Sequence, residues 1–153
     1  MEIARPQLPP EPETSADPAR MLLDEEVVGA AFRGVGFGAL VREHLSVQGC
    51  RFTGCSFAGS VLGHSQFSDV LFRNCDFSNA DLQGCSFHRV EFAQCELAAA
   101  EFFGTRLRGV SFADSDIRGI RVREIDSFEL KGVKINVLQA AELARLLGVE
   151  IEE

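Results

Sequence analysis

Five cysteines and three histidines are the side chains of this 153-residue sequence best suited to chemistry, and their spacing is regular. Cys50 and Cys55 precede Cys75, Cys85 and Cys95, which fall ten apart in the stretch CDFSNADLQGCSFHRVEFAQC. Evenly spaced thiols raise three possibilities: a metal site, a redox site or a disulfide framework. His44 and His64 lie twenty apart, and Asp76, Glu96 and Asp116 keep the same interval. What these groups can do depends on the element that carries them.

That element has a period of five. Of the nineteen residues taken at every fifth position from Phe32 to Val122, eighteen are large and apolar, and they include eleven of the chain's thirteen phenylalanines. The position two earlier, from Ala30 to Ile120, holds only Ala, Val, Leu, Ile, Cys, Ser or Thr. The position two later is often Gly, Asn or Asp, residues that tolerate tight turns. Of the twenty charged residues between 30 and 124, only Arg42 enters either apolar class. Neither a helix nor a flat strand repeats every five residues. A chain that turns a corner every five does, and four such sides close a coil of twenty. Successive coils stack as parallel strands about 4.8 Å apart, each burying its edges on its neighbours.

The segments CSFAG, CDFSN, ADLQG and CSFHR resemble the pentapeptide repeat, A(D/N)LXX, and the resemblance covers about residues 30–122. It implies an all-β solenoid of the right-handed quadrilateral β-helix type. About five coils fit between residues 27 and 126, a rod roughly 24 Å long at strand spacing. The register fails at ALVREHLSV, where a bulge or local shift is expected to bring Val41 or Leu40 into the core in place of Arg42. It fails again at Ser127, after which Phe128, Leu130, Val133 and Ile135 resume out of phase beyond a small loop.

On this frame all five cysteines take the small inward slot. Cys55, Cys75 and Cys95 form one column, and a line of thiols is not a tetrahedral zinc shell. Their stacking also exceeds the usual disulfide separation, so they read as packed, reduced thiols. No metal or other cofactor is expected. His44 and His64 share an outer corner, but two ligands without a third read as turn residues. Asp76, Glu96 and Asp116 stack on one outer face whose net charge is −2, the other faces lying within one charge of neutral. A flat wall offers no cleft to perturb a carboxylate for acid–base work, and no phosphate loop or nucleophile elbow occurs, so an enzyme is not expected.

Residues 1–26 carry all five prolines and a net charge of −5, which reads as a flexible acidic tail. Residues 27–135 form the solenoid and 136–153 a capping helix with a short extended end at 149–151. Asn136 is the expected N-cap, with Gln139 three residues on and Gly148 as the stop. Leu138, Leu143, Leu146 and Leu147 are more apolar surface than a lone helix needs. The ending is similar to the carboxy-terminal module of quinolone-resistance pentapeptide proteins, which implies a homodimer; the alternative is a helix that only caps.

The whole chain has a formal charge of −8, yet residues 27–126 come to −1, so direct nucleic-acid binding and strong DNA mimicry are both disfavoured. No apolar run could span a membrane and no leader is evident, so a cytoplasmic location is expected. The reading is a non-enzymatic protein-interaction module with an unidentified protein partner. Val41, Val61, Phe103 and the acids Asp76, Glu96 and Asp116 are its candidate surface. The alternative, from the resemblance, is a DNA-mimicking protein that binds a topoisomerase.

Overall fold

The computed structural model describes residues 5–121 and 135–146. Two of the four sides of the coil carry the named strands: β1 (Glu26–Val28), β2 (Ala31–Arg33), β3 (Ser46–Gln48), β4 (Arg51–Thr53), β5 (Gln66–Arg73), β6 (Ser86–Ala93) and β7 (Arg106–Arg108). Every partnership is parallel with a twenty-residue offset. The first wall runs Val27, Val47, Phe67, Phe87, Leu107. The second runs Phe32, Phe52, Phe72, Phe92 and continues through a bridge from Glu91 to Ser111. Single bridges define the third wall, Gly36–Ser56–Asp76–Glu96–Asp116, and the fourth, Val41–Val61–Asp81–Glu101–Arg121. The first rung of each wall is separated from the last by about four turns of a parallel β-solenoid.

The inward slots hold the predicted residues. Phe32, Phe52, Phe72, Phe92 and Phe112 stack with ring centroids 5.0, 5.0, 5.1 and 5.3 Å apart. The third wall stacks Phe37, Phe57 and Phe77 at 4.7 and 4.9 Å. Rings on adjacent walls meet edge to face, as Phe72 and Phe77 do at 4.9 Å and 89°. Both geometries are the favoured ones for aromatic pairs, so the core is ordered along and across the rod.

Corners need a left-handed residue, and from Gly34 to Gly119 the residue two after the large apolar one supplies it, with one exception. His44, His64, Arg89, Gln94 and Ala99 adopt positive φ as readily as the glycines. Such a conformation costs a non-glycine on the order of 1 kcal/mol, which the ladder hydrogen bonds on both sides hold in place. The exception is the corner where Gly38 takes the turn one residue early, at φ 63.

Of the bulge or local shift expected at ALVREHLSV, the shift is what forms, as the early turn at Gly38, and no bulge follows it. Val41 stays in register with Val61, the Arg42 N–H donating to the Val61 carbonyl at 2.8 Å and the Val61 N–H to the Leu40 carbonyl at 2.7 Å. Leu40 fills the small slot while Val41 remains 69% exposed. Arg42 keeps the large slot, and its Nη2 donates to the Asp24 carbonyl at 2.9 Å, while its Nε is buried without a partner among the described residues. A charged residue is tolerable there because the slot lies in the first coil. That end is covered by α1 (Arg20–Leu23), whose Met21 is fully buried in the core.

Residues 5–24, which composition marked as a loose tail, lie against the solenoid. The Ala16 N–H donates to the Ala31 carbonyl at 2.7 Å, the Arg33 N–H to Ser15 Oγ at 3.0 Å, and the Gln7 N–H to Asp69 Oδ1 at 2.9 Å. Polar anchoring, which a count of apolar residues does not register, holds residues 7–16, and Met21 in the core holds the end that follows. At the other end α2 (Val137–Leu146) follows Asn136. The second register break, at 127–133, falls outside the described residues, as do Leu147, Gly148 and the extended end at 149–151.

Candidate interaction surfaces

The thiols are internal. All five cysteines are free and buried, and each donates to a carbonyl of the preceding coil, twenty-three residues back. In the aromatic column the Phe32, Phe52 and Phe72 carbonyls accept from Cys55, Cys75 and Cys95 at 3.5, 3.3 and 3.3 Å. Ser115 Oγ does the same for the Phe92 carbonyl at 2.9 Å. Burial pushes the Cys85 thiol up to about 12 and raises Cys50 as well, which suppresses the nucleophilic thiolate. The period of five marked these slots as small; their donor role needs the twenty-residue register to be seen.

The outward groups lie where the coil puts them. Asp76, Glu96 and Asp116 are successive rungs of the third wall. Asp76 and Asp116 each accept the N–H two residues on, at 2.8 and 3.0 Å, so both carboxylates also shape their turns. Arg118 clasps Asp116 with Nη2 to Oδ2 at 2.7 Å and holds its carboxyl below the usual carboxylate range. Val41 and Val61 are bridge partners on the fourth wall, Val41 exposed and Val61 half-buried, and Phe103 is half-buried farther up that wall. The rings of His44 and His64 stack at 5.5 Å. Among the described residues no three His, Cys, Asp or Glu side chains converge as metal ligands.

Among the described residues, one side chain both caps α2 and bonds the coil beneath it. Gln139 Oε1 accepts the Asn136 N–H and Asn136 Oδ1 accepts the Gln139 N–H, both at 2.9 Å, the predicted reciprocal cap. The same Gln139 is 5% exposed and its Nε2 donates to the Phe112 and Ser115 carbonyls at 2.6 and 2.7 Å. It thereby supplies to Phe112 the donor that a cysteine or serine supplies to each phenylalanine below. On α2, Leu138 is 80% exposed, whereas Leu143 packs partly on the core. Leu146 ends the helix. A cavity of about 300 Å³ lies between α2, the second wall and the amino-terminal segment, with Arg5, Glu91, Asp114 and Gln139 among its lining.

Four flat walls around an apolar, thiol-studded interior define a quadrilateral parallel β-solenoid whose extended surfaces are its outer faces. The pentapeptide repeat region family model matches residues 44–124, and the chain belongs to the pentapeptide-repeat family. Two solved members share the fold. A pentapeptide repeat protein of the Arabidopsis thaliana thylakoid lumen aligns at 20% identity over 81% of this chain and 78% of its own, with a TM-score of 0.58. Rfr23 of the cyanobacterium Cyanothece 51142 aligns at 17% identity over 76% of this chain and 95% of its own, with a TM-score of 0.54. QnrB1, a plasmid-mediated fluoroquinolone resistance protein, aligns at 19% identity over 90% and 95%, but with a TM-score of only 0.33. No curated protein matches in sequence. No helix among the described residues is long and apolar enough to cross a membrane.

Proposed function

We propose that this chain is a non-enzymatic protein-interaction module, a stiff rod whose outer walls bind a protein partner. The observation that carries the proposal is the division of side chains: reactive thiols point inward, and outward groups form flat ladders repeated every twenty residues. A ladder on a rigid wall presents its groups at fixed spacing with little ordering cost on binding. The test is affinity capture from the native host's lysate with three baits: wild type, a third-wall variant (Asp76→Lys with Glu96→Lys) and a fourth-wall variant (Val41→Lys with Val61→Lys). A protein retained by wild type and lost with one wall variant supports the reading. Capture indifferent to both, or no specific capture, defeats it.

The acidic column of the third wall is the feature that favours the alternative, a DNA-mimicking rod that engages a topoisomerase. Arg118 neutralises one end of that column, which weighs against it. Unchanged gyrase supercoiling at excess protein would retire the alternative. Self-association through α2 is part of the proposal, with Leu138, 80% exposed, as an apolar anchor and Leu143, Leu146 and Leu147 farther along the sequence. Five free thiols suit a reducing compartment, and we place the protein in the cytoplasm.

A further inference from the structure

We propose that the corner between the first and second walls is a docking groove for an acidic, proline-bearing extended segment, and that residues 7–15 occupy it as an intramolecular latch. The inference rests on reading the walls as protein-binding surfaces and names one such site with its ligand chemistry. The groove's floor is bare. Gly29 and Gly49 are successive corners without side chains, and a Cβ on Gly49 would stand 3.5 Å from Pro9 Cδ. Its second-wall side carries two guanidiniums. Arg51 donates to the Pro9 carbonyl at 3.0 Å and pairs with Glu11 at 3.3 Å. Arg33 pairs with the other Glu11 oxygen and donates to the Pro12 carbonyl at 2.9 Å.

These contacts recognise a class of ligand. Two arginines read backbone carbonyls and one carboxylate between them, which selects an extended chain carrying an acid. Pro6, Pro9, Pro10 and Pro12 keep the segment in the extended state beforehand, so little entropy is lost on seating. Charge complements charge: residues 1–26 carry −5, against Arg33, Arg51 and Arg73 on the second wall.

The latch is built to be displaced. Glu11 is 40% exposed and Arg33 38% exposed, and ion pairs of that exposure hold weakly. Tethering instead supplies a high local concentration. The pivot is separate and firm, because the Ala16–Ala31 hydrogen bond and buried Met21 secure the far end. Lifting residues 7–12 therefore bares the groove without opening the coil.

The test uses the full chain with Glu11→Lys and Ser15→Ala, which opens the latch, and a fluorescent synthetic peptide of residues 5–17 as the probe. Anisotropy should show the opened variant binding the peptide at least tenfold more tightly than wild type, with affinity falling as salt rises. Adding Arg33→Glu and Arg51→Glu should abolish binding. If the opened variant lacks the wild-type circular dichroism spectrum, Glu11→Gln alone replaces it. Peptide affinity equal to wild type's, or unaffected by the arginine changes, overturns the proposal. That failure would leave the wall-variant capture result standing, and a failed capture would leave peptide binding standing.

Discussion

Asp69 occupies a corner at φ 54, is buried, and receives the Arg89 guanidinium at 2.7 and 2.8 Å and the Gln7 N–H at 2.9 Å. Those donors, Arg89 foremost, hold its carboxyl below the usual carboxylate range. A depressed carboxylate stabilises the fold above the unfolded value of about 3.9, and that stability is lost as pH falls through the folded value. Asp69→Asn keeps a residue tolerant of the left-handed corner and removes the charge. It should cost about 1–2 kcal/mol at pH 7 and flatten the loss as pH falls through and below about 3.9 in urea melts; an acid limb as steep as wild type's would contradict this. The cysteines make a second prediction: none should react with an aromatic disulfide reagent until the chain unfolds. A thiol titrating in the native state would refute the packed interior. The inward residues were legible because every fifth position obeys one rule. The Asp69–Arg89 pair was not, since partners twenty apart on a corner carry no apolar signal.

Gln139 makes α2 and the last coil one unit. Gln139→Met should orphan the Phe112 and Ser115 carbonyls at about 1–3 kcal/mol each. Hydrogen exchange of the α2 amides should then accelerate at least tenfold while β5 and β6 stay protected; uniform acceleration, or none, would count against a local cap. Asn136 and Gln139 announced their helix start in the sequence, but the second task of Gln139 was hidden because the carbonyls it serves lie 24 and 27 residues away. Corners divide the same way. Gly, Asn and Asp marked most of them, while Arg89, Gln94 and Ala99 were forced into the turn by closure of the coil. At Arg42 the sequence announced a bulge or local shift; the turn shifts by one residue to Gly38, and the cross-coil hydrogen bonds of Val61 keep Val41 in register.

The rod as a whole separates a quiet interior from informative outer walls. Its ends carry their own prediction: Leu138→Glu should convert a dimer to a monomer in sedimentation with no loss of solenoid stability, and a wild-type monomer would remove self-association from the account. The amino-terminal segment was the least legible large feature, because composition prices apolar burial and this segment is anchored by Arg33, Arg51 and backbone hydrogen bonds. The central claim is that partners bind the walls, and hydrogen-exchange footprinting of the chain with its captured partner addresses it most directly. Wall binding should give protection recurring at twenty-residue intervals along one wall, such as at residues 41, 61, 81 and 101. Protection without that interval, or confined to the cavity beside Gln139, would contradict it.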